Sequence, residues 1–227
     1  MKQNVRFIRR IEILEYPVTL EAYLSSHFVD KPTFASLANI SSARLDALLA
    51  AQAVPAASYT CSNGAIRSAA FGETAISEPI EGEFFRPECA RWALIADRAA
   101  PGEERDAVST VLAGELERHL RSCGLEVSAV EAKVASLLPH FFNGTFGLCV
   151  AAPSSGAGIA KKEFLQDKLV ALTRNGTDTE PAGIRRSELL KLVDDYANAA
   201  MPFSPAEYDR SSRKRLVDDF LVLLASD

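Results

Sequence analysis

The chain has 227 residues, of which 48% are apolar, and its 25 basic and 30 acidic side chains leave a formal charge of -5. That composition excludes the disordered, collagen-like and disulfide-scaffold classes, and it bounds the chain at one compact domain or two small ones. It also removes the default electrostatic ground for binding nucleic acid or an anionic membrane.

The N-terminus is basic (Lys2, Arg6, Arg9, Arg10), but Glu12 and Glu15 interrupt its apolar residues, so no signal-peptide core is expected there. A helix over residues 17–28, opened by Pro17, carries Leu20, Tyr23, Leu24 and Phe28 at helical spacing. Asp30 then caps a helix over Phe34, Leu37 and Ala38, and Ser41 caps a second one that buries Leu45, Leu48 and Leu49 and stops before Val54 and Pro55. Two short helices joined by a tight turn make a helix-turn-helix unit. Residues 56–85 change to Ser, Thr, Gly and β-formers with a hairpin signal at Asn63-Gly64, which predicts a wing. Helical periodicity restarts around Cys89, Trp92, Leu94 and Ile95, and Pro101-Gly102 marks a boundary between a winged-helix-like module (1–100) and a helical module (101–227).

In the second module, residues 103–123 form a helix with a stripe of Val108, Val111, Leu112, Leu116 and Leu120, stopped by Gly124. Another helix covers 128–138 and ends before Pro139. Asn143-Gly144, flanked by aromatic and β-branched residues, predicts a type I′ hairpin over 140–151. A loop at 154–158 precedes helices over 161–172 and 187–196, and a capping box at Ser204 and Glu207 opens a last helix that runs through Leu224. The expected fold is therefore mainly α: a winged helix-turn-helix-like N-terminal module packed on a helical C-terminal module with a small β-hairpin. The most apolar window, 134–152, contains Pro139, His140, Asn143 and Gly144, so no membrane span is expected.

Residues 28–98, with a helix pair, a wing and then Phe85-Arg86-Pro87-Glu88 leading into the Trp92 helix, resemble the N-terminal domain of MerR-type regulators. The resemblance implies a winged helix. DNA reading, however, needs cations for phosphates and bidentate donors for base edges, whereas between Phe28 and Thr60 the charges Asp30, Lys31, Arg44 and Asp46 cancel. No specific nucleic acid partner is expected. Over nearly its whole length the chain is similar to a bacterial family of unknown function linked to natural-product biosynthesis. The residues that carry this are 49–59, 143–149, Ile159-Ala160-Lys161-Lys162-Glu163 and Phe203-Ser204-Pro205 through Leu216. That similarity implies a cytoplasmic protein of specialised metabolism that acts on or binds a small metabolite. A DNA-binding regulator and a non-catalytic protein-interaction module are the alternatives.

The four cysteines, Cys61, Cys89, Cys123 and Cys149, have no CxxC or zinc-type spacing, so free thiols are expected, with no metal and no cofactor. Cys149 and His140, on opposite arms of the predicted hairpin, are the candidate catalytic pair, set against an inert buried thiol. Lys161 and Lys162, at a helix start after a Ser/Gly loop, are candidate anion ligands, set against a solvated helix terminus. Arg210 and Arg213, three residues apart on a helix, could converge on a carboxylate or phosphate of a ligand, or on Asp194, Asp195 or Glu207. A small-molecule metabolite and a second copy of the chain are the candidate partners; no membrane partner is expected.

Overall fold

The computed structural model describes residues 19–226, which are mainly helical with one small antiparallel sheet. Pro17 and the basic start of the chain lie outside these residues. The first described helix, α1 (Leu20–His27), is capped by Thr19, which accepts from the Ala22 N–H, and by the Glu78 carboxylate, which accepts from Leu20 and Glu21 at 3.0 and 2.8 Å. After β1 (Val29–Asp30), the Asp30 carboxylate caps α2 (Lys31–Leu37) and the Ser41 hydroxyl caps α3 (Ser42–Ala50), each by accepting from the N–H three residues on. α3 buries Leu45 and Leu48.

The polar, β-forming stretch makes β2 (Tyr59–Ser62), β3 (Ala65–Ser68), β4 (Gly72–Ala75) and β5 (Gly82–Phe85), and the sheet order is β1-β5-β2-β3-β4. At Asn63-Gly64 both residues have positive φ, 53° and 73°, and Ser62 pairs with Ala65 across the two-residue turn. Alternation then turns Tyr59 and Cys61 inward and leaves Thr60 and Ser62 exposed.

A 3₁₀ turn (Pro87–Cys89) leads into α4 (Ala90–Asp97), followed by α5 (Glu104–Ser122) and α6 (Val127–Phe142). α5 buries Val108, Leu112, Leu116 and Leu120 and stops at Gly124 (φ 87°), while Val111 faces outward. Next come α7 (Thr145–Cys149), α8 (Gly156–Leu172) and α9 (Arg186–Ala199). The chain closes with a 3₁₀ turn (Tyr208–Arg210), a π-helical turn (Lys214–Asp218) and α10 (Asp219–Ser226).

Three expectations are corrected. There is no hairpin over 140–151: α6 runs through Pro139 to Phe142, and Thr145–Cys149 is helical. A type I′ turn needs positive φ at both central residues, but Asn143 has φ -81° and only Gly144 is left-handed, at 85°. The Asn143 carboxamide oxygen instead accepts from the Thr145 N–H and hydroxyl at 3.0 and 2.7 Å, starting the next helix. The lost Pro139 N–H is outweighed by the apolar face of Val130, Val134, Leu137 and Phe141, which keeps helical spacing across the proline. Third, the Ser204–Glu207 capping box does not form. Glu207 turns inward from a tight turn closed on the Ser204 carbonyl, and the last helical run is capped by Ser211, which accepts from the Lys214 N–H at 3.0 Å. The expected loop at 154–158 is also shorter, since Ser155 caps α8 directly.

Two apolar cores result. The main one joins side chains from Leu20 to Ala160 and also takes Phe203; it crosses residue 100 without interruption, with Trp92 of α4 edge-on to Phe141 of α6 at 5.0 Å. The second gathers Leu165, Leu169, Leu189, Tyr196, Leu216 and Phe220, among others. α8 belongs to both, through Ile159 and Ala160 in the first and Leu165 and Leu169 in the second. Among the described residues, no helix is long and apolar enough to cross a membrane.

Gly144 provides a test of this reading. A Cβ there would meet the carbonyl oxygens of Ala56 and Ala57, each at 2.7 Å, in addition to the left-handed backbone, whereas Gly102 (φ 88°) has open space around it. Gly102→Ala is expected to cost about 1 kcal/mol and Gly144→Ala about 3 kcal/mol or more, measured by urea unfolding. Equal losses at the two positions would show that the α6–α7 turn is not packed on residues 56 and 57.

Candidate functional site

Polar groups concentrate where the strand-rich half meets α7, α8 and residues 200–213. The most enclosed is Arg86, 4% exposed, at the end of β5. Its guanidinium donates to the carbonyls of Gly147 and Val150 at 3.3 Å each and of Ala151 at 3.2 Å, and it lies 2.8 Å from the Met201 sulfur. The fork of Nε and Nη2 grips Glu88 at 3.1 Å on both oxygens. Burial pushes Glu88 up, but that fork more than offsets it, and its carboxyl stays below the ordinary value.

A second cluster surrounds Glu207, 1% exposed. Tyr59 of β2 and Ser68 of β3 donate to its two oxygens at 2.9 and 2.6 Å. The Ser204 hydroxyl, completely buried, lies beside the same carboxylate without being aligned for a hydrogen bond. Burial raises the Glu207 carboxyl above its ordinary value against the opposing hydroxyl donors and the nearby Arg210 charge. Tyr23 adds a bond from its hydroxyl to the Pro202 carbonyl at 2.8 Å, so residues 202–207 are tied to α1 and to the sheet.

The third cluster contains two of the candidate residues. Cys149 at the end of α7 and Lys162 on α8 are both buried, and the lysine ammonium lies against the thiol. Lys162 also donates to Glu163 at 2.8 Å, and Tyr196 of α9 is beside it, with its hydroxyl 2.9 Å from Ser212 Oγ and 3.2 Å from Gln166 Oε1. Burial opposes the charge of Lys162, but Cys149, Glu163 and Tyr196 around it hold its pKa above the ordinary value, so it stays protonated. Burial likewise pushes the Cys149 thiol up in spite of Lys162. Burial also raises Cys61 to about 11 and Cys89 to about 12.

The remaining candidates are dispersed. His140 sits on the exposed face of α6, beside the Phe146 ring at 6.4 Å, and does not pair with Cys149; the hairpin that would have brought them together is absent. Lys161 is exposed while Lys162 is buried, because adjacent helical residues diverge by about 100°. The first turn of α8 already holds an anion of this chain: the Glu115 carboxylate accepts from the Gly156 N–H at 2.7 Å and is gripped by Arg91 at 2.5 Å. Arg210 and Arg213 do not converge. Arg210 reaches the sheet, donating to the Phe71 carbonyl at 3.1 Å and to Thr74 Oγ1 at 2.6 Å, whereas Arg213 donates to the Ala197 carbonyl at 2.7 Å at the end of α9. Backbone carbonyls, not Asp194, Asp195 or Glu207, are its partners.

The cations of the α2–α3 unit are likewise occupied. Lys31 contacts Asp46 at 3.1 Å and Glu83 at 2.6 Å, and Arg44 contacts Asp97 at 2.9 Å and Glu104 at 3.1 Å. Two surface depressions, of about 540 Å³ along residues 174–180 and about 400 Å³ between α5 and Ser155, are both open to solvent. Among the described residues no three His, Cys, Asp or Glu side chains gather as metal ligands.

Sequence reasoning missed Arg86 and Glu207 as organising groups. The available signal was a charge inside an apolar run: Arg86 follows Phe84-Phe85, and Glu207 sits between Ala206 and Tyr208. Arg86→Ala should cost about 2–4 kcal/mol because three carbonyls lose a buried donor, while Glu88→Gln, at a half-exposed position, should cost less than about 1 kcal/mol. Urea unfolding of the two variants checks the contrast. For Glu207 the folded pKa lies above the unfolded one, so the folded state holds the proton more tightly. Its contribution is present below the unfolded carboxyl pKa, about 4.3, and is lost as pH rises through the higher folded value. Glu207→Gln should therefore remove a stability loss between acidic and neutral pH; wild-type and variant melting curves of identical pH dependence would contradict the burial of a carboxylate here.

Residues 113–223, from within α5 into α10 and just under half of the chain, match a family of unknown function, DUF6058. The match takes in Cys149, Lys162, Glu207 and Arg213 but neither Arg86 nor the α2–α3 unit. No curated protein and no solved structure matches the chain.

Proposed function

We propose that this protein is a non-catalytic binding module whose α2–α3 unit and sheet form a winged helix-turn-helix-like surface that faces protein instead of DNA. The observation that carries this reading is the neutralisation of Lys31 and Arg44 by four carboxylates, together with the outer face of α3, where Ala43, Ala47, Ala50 and Ala51 are exposed. A helix that reads DNA needs free cations and donors there. Turnover of a metabolite finds less support: the candidate nucleophile Cys149 is buried and protonated, and His140 is on another surface. A role in specialised metabolism rests on the sequence resemblance and would make the partner a protein of the same pathway class.

Two measurements on the full chain test the proposal. In anisotropy titrations between about 50 and 200 mM salt, duplex DNA should show no submicromolar affinity and no steep salt slope. A photo-crosslinker placed at Ala47 should give a discrete protein adduct, a second copy of the chain included, that is absent when the crosslinker is placed at exposed Ser136 on α6. Submicromolar DNA binding with a steep slope, or identical adducts at both positions, would overturn the reading.

A further inference from the structure

We infer that Cys149 and Lys162 form an oxidative modification site, in which dioxygen joins the two side chains through one oxygen atom as an N–O–S bridge between α7 and α8. Three observations support it. The thiol and the amine are 6% and 3% exposed, and they meet side to side although they come from different helices. Glu163 sits 2.8 Å from the same nitrogen and can take the proton that the ammonium must lose. Lys133, 3.8 Å from the other Glu163 oxygen, supplies a cation for that carboxylate once the charge of Lys162 is gone.

The reaction balances with dioxygen as the oxidant. The ammonium, the thiol and one dioxygen give the bridge, one water and one proton, and the proton passes to Glu163. Sulfur and nitrogen each lose two electrons, and dioxygen takes all four; its O–O bond breaks, one oxygen entering the new N–O and O–S bonds and the other leaving as water. Enclosure favours this product over further oxidation of the sulfur, because the oxidised sulfur meets the adjacent amine before it meets bulk water or a larger oxidant.

The test uses the full-length protein, purified in air and purified without oxygen in the presence of a thiol reductant. Intact mass of the aerated protein should show a species heavier by about 14 Da, one oxygen gained and two hydrogens lost, that disappears on treatment with dithiothreitol. Tryptic digestion of that species should yield peptides 134–161 and 162–168 joined, with no cleavage after Lys162. Lys162→Arg, which keeps the cation beside Glu163, and Cys149→Ser should both lack the species. An aerated wild-type protein of reduced mass whose four cysteines all alkylate after unfolding would overturn the inference. So would a gain of about 32 Da confined to Cys149. The reductant comparison on the wild-type protein decides the matter even where a variant fails to fold.

Discussion

The packing of the two halves depends on a guanidinium that has left water. Arg86 extends from the last strand of the sheet and supplies donors to the carbonyls of Gly147, Val150 and Ala151, where α7 ends and the chain turns toward α8. Those carbonyls belong to no regular ladder, apart from the isolated bridge of Val150 with Ala200, so without a donor several would be buried and unpaired. Arginine suits the position because its planar head has five N–H groups and can serve the loop and Glu88 together. Glu88 is half exposed, so the cation keeps a counter-charge without both ions being fully desolvated.

The other buried ionisable groups lie along the same junction. Glu207 fixes residues 202–210 to β2 and β3, and Lys162 sits where α8 passes from the main core to the second. Each is satisfied in a different way. Glu207 accepts from neutral hydroxyls and remains costly as an anion, whereas Lys162 has a carboxylate, a thiol and a phenol around it and remains charged. Groups that looked from the sequence like ligands or nucleophiles are thus largely occupied in joining elements, which is the physical basis for favouring a binding surface over a reaction centre.

The local architecture was legible wherever a short-range cause acts alone. Asp30 and Ser41 cap their helices, Asn63-Gly64 makes its hairpin turn, and Gly124 stops α5, because each depends on neighbouring backbone groups only. The same dipeptide at Asn143-Gly144 shows the limit of such signals. There the flanking apolar residues had another helix face to fill and residues 56 and 57 to pack against, and that burial outweighed the turn preference of the pair. Glu207 failed as a helix-cap residue for a similar reason, since two hydroxyls from strands about 140 positions earlier offered its carboxylate partners that a local rule does not see.

By itself the sequence determined a mainly helical chain with a small sheet after a short helix pair, and it showed that the charges of that pair cancel, since these follow from periodicity, capping and composition within short windows. Only the tertiary structure decided which charged residues are buried, that Cys149 meets Lys162 and not His140, that Arg210 and Arg213 point to different elements, and that Glu115 occupies the first turn of α8. Each of these depends on which distant backbone groups lack a partner once the cores close, and sequence spacing holds no record of that.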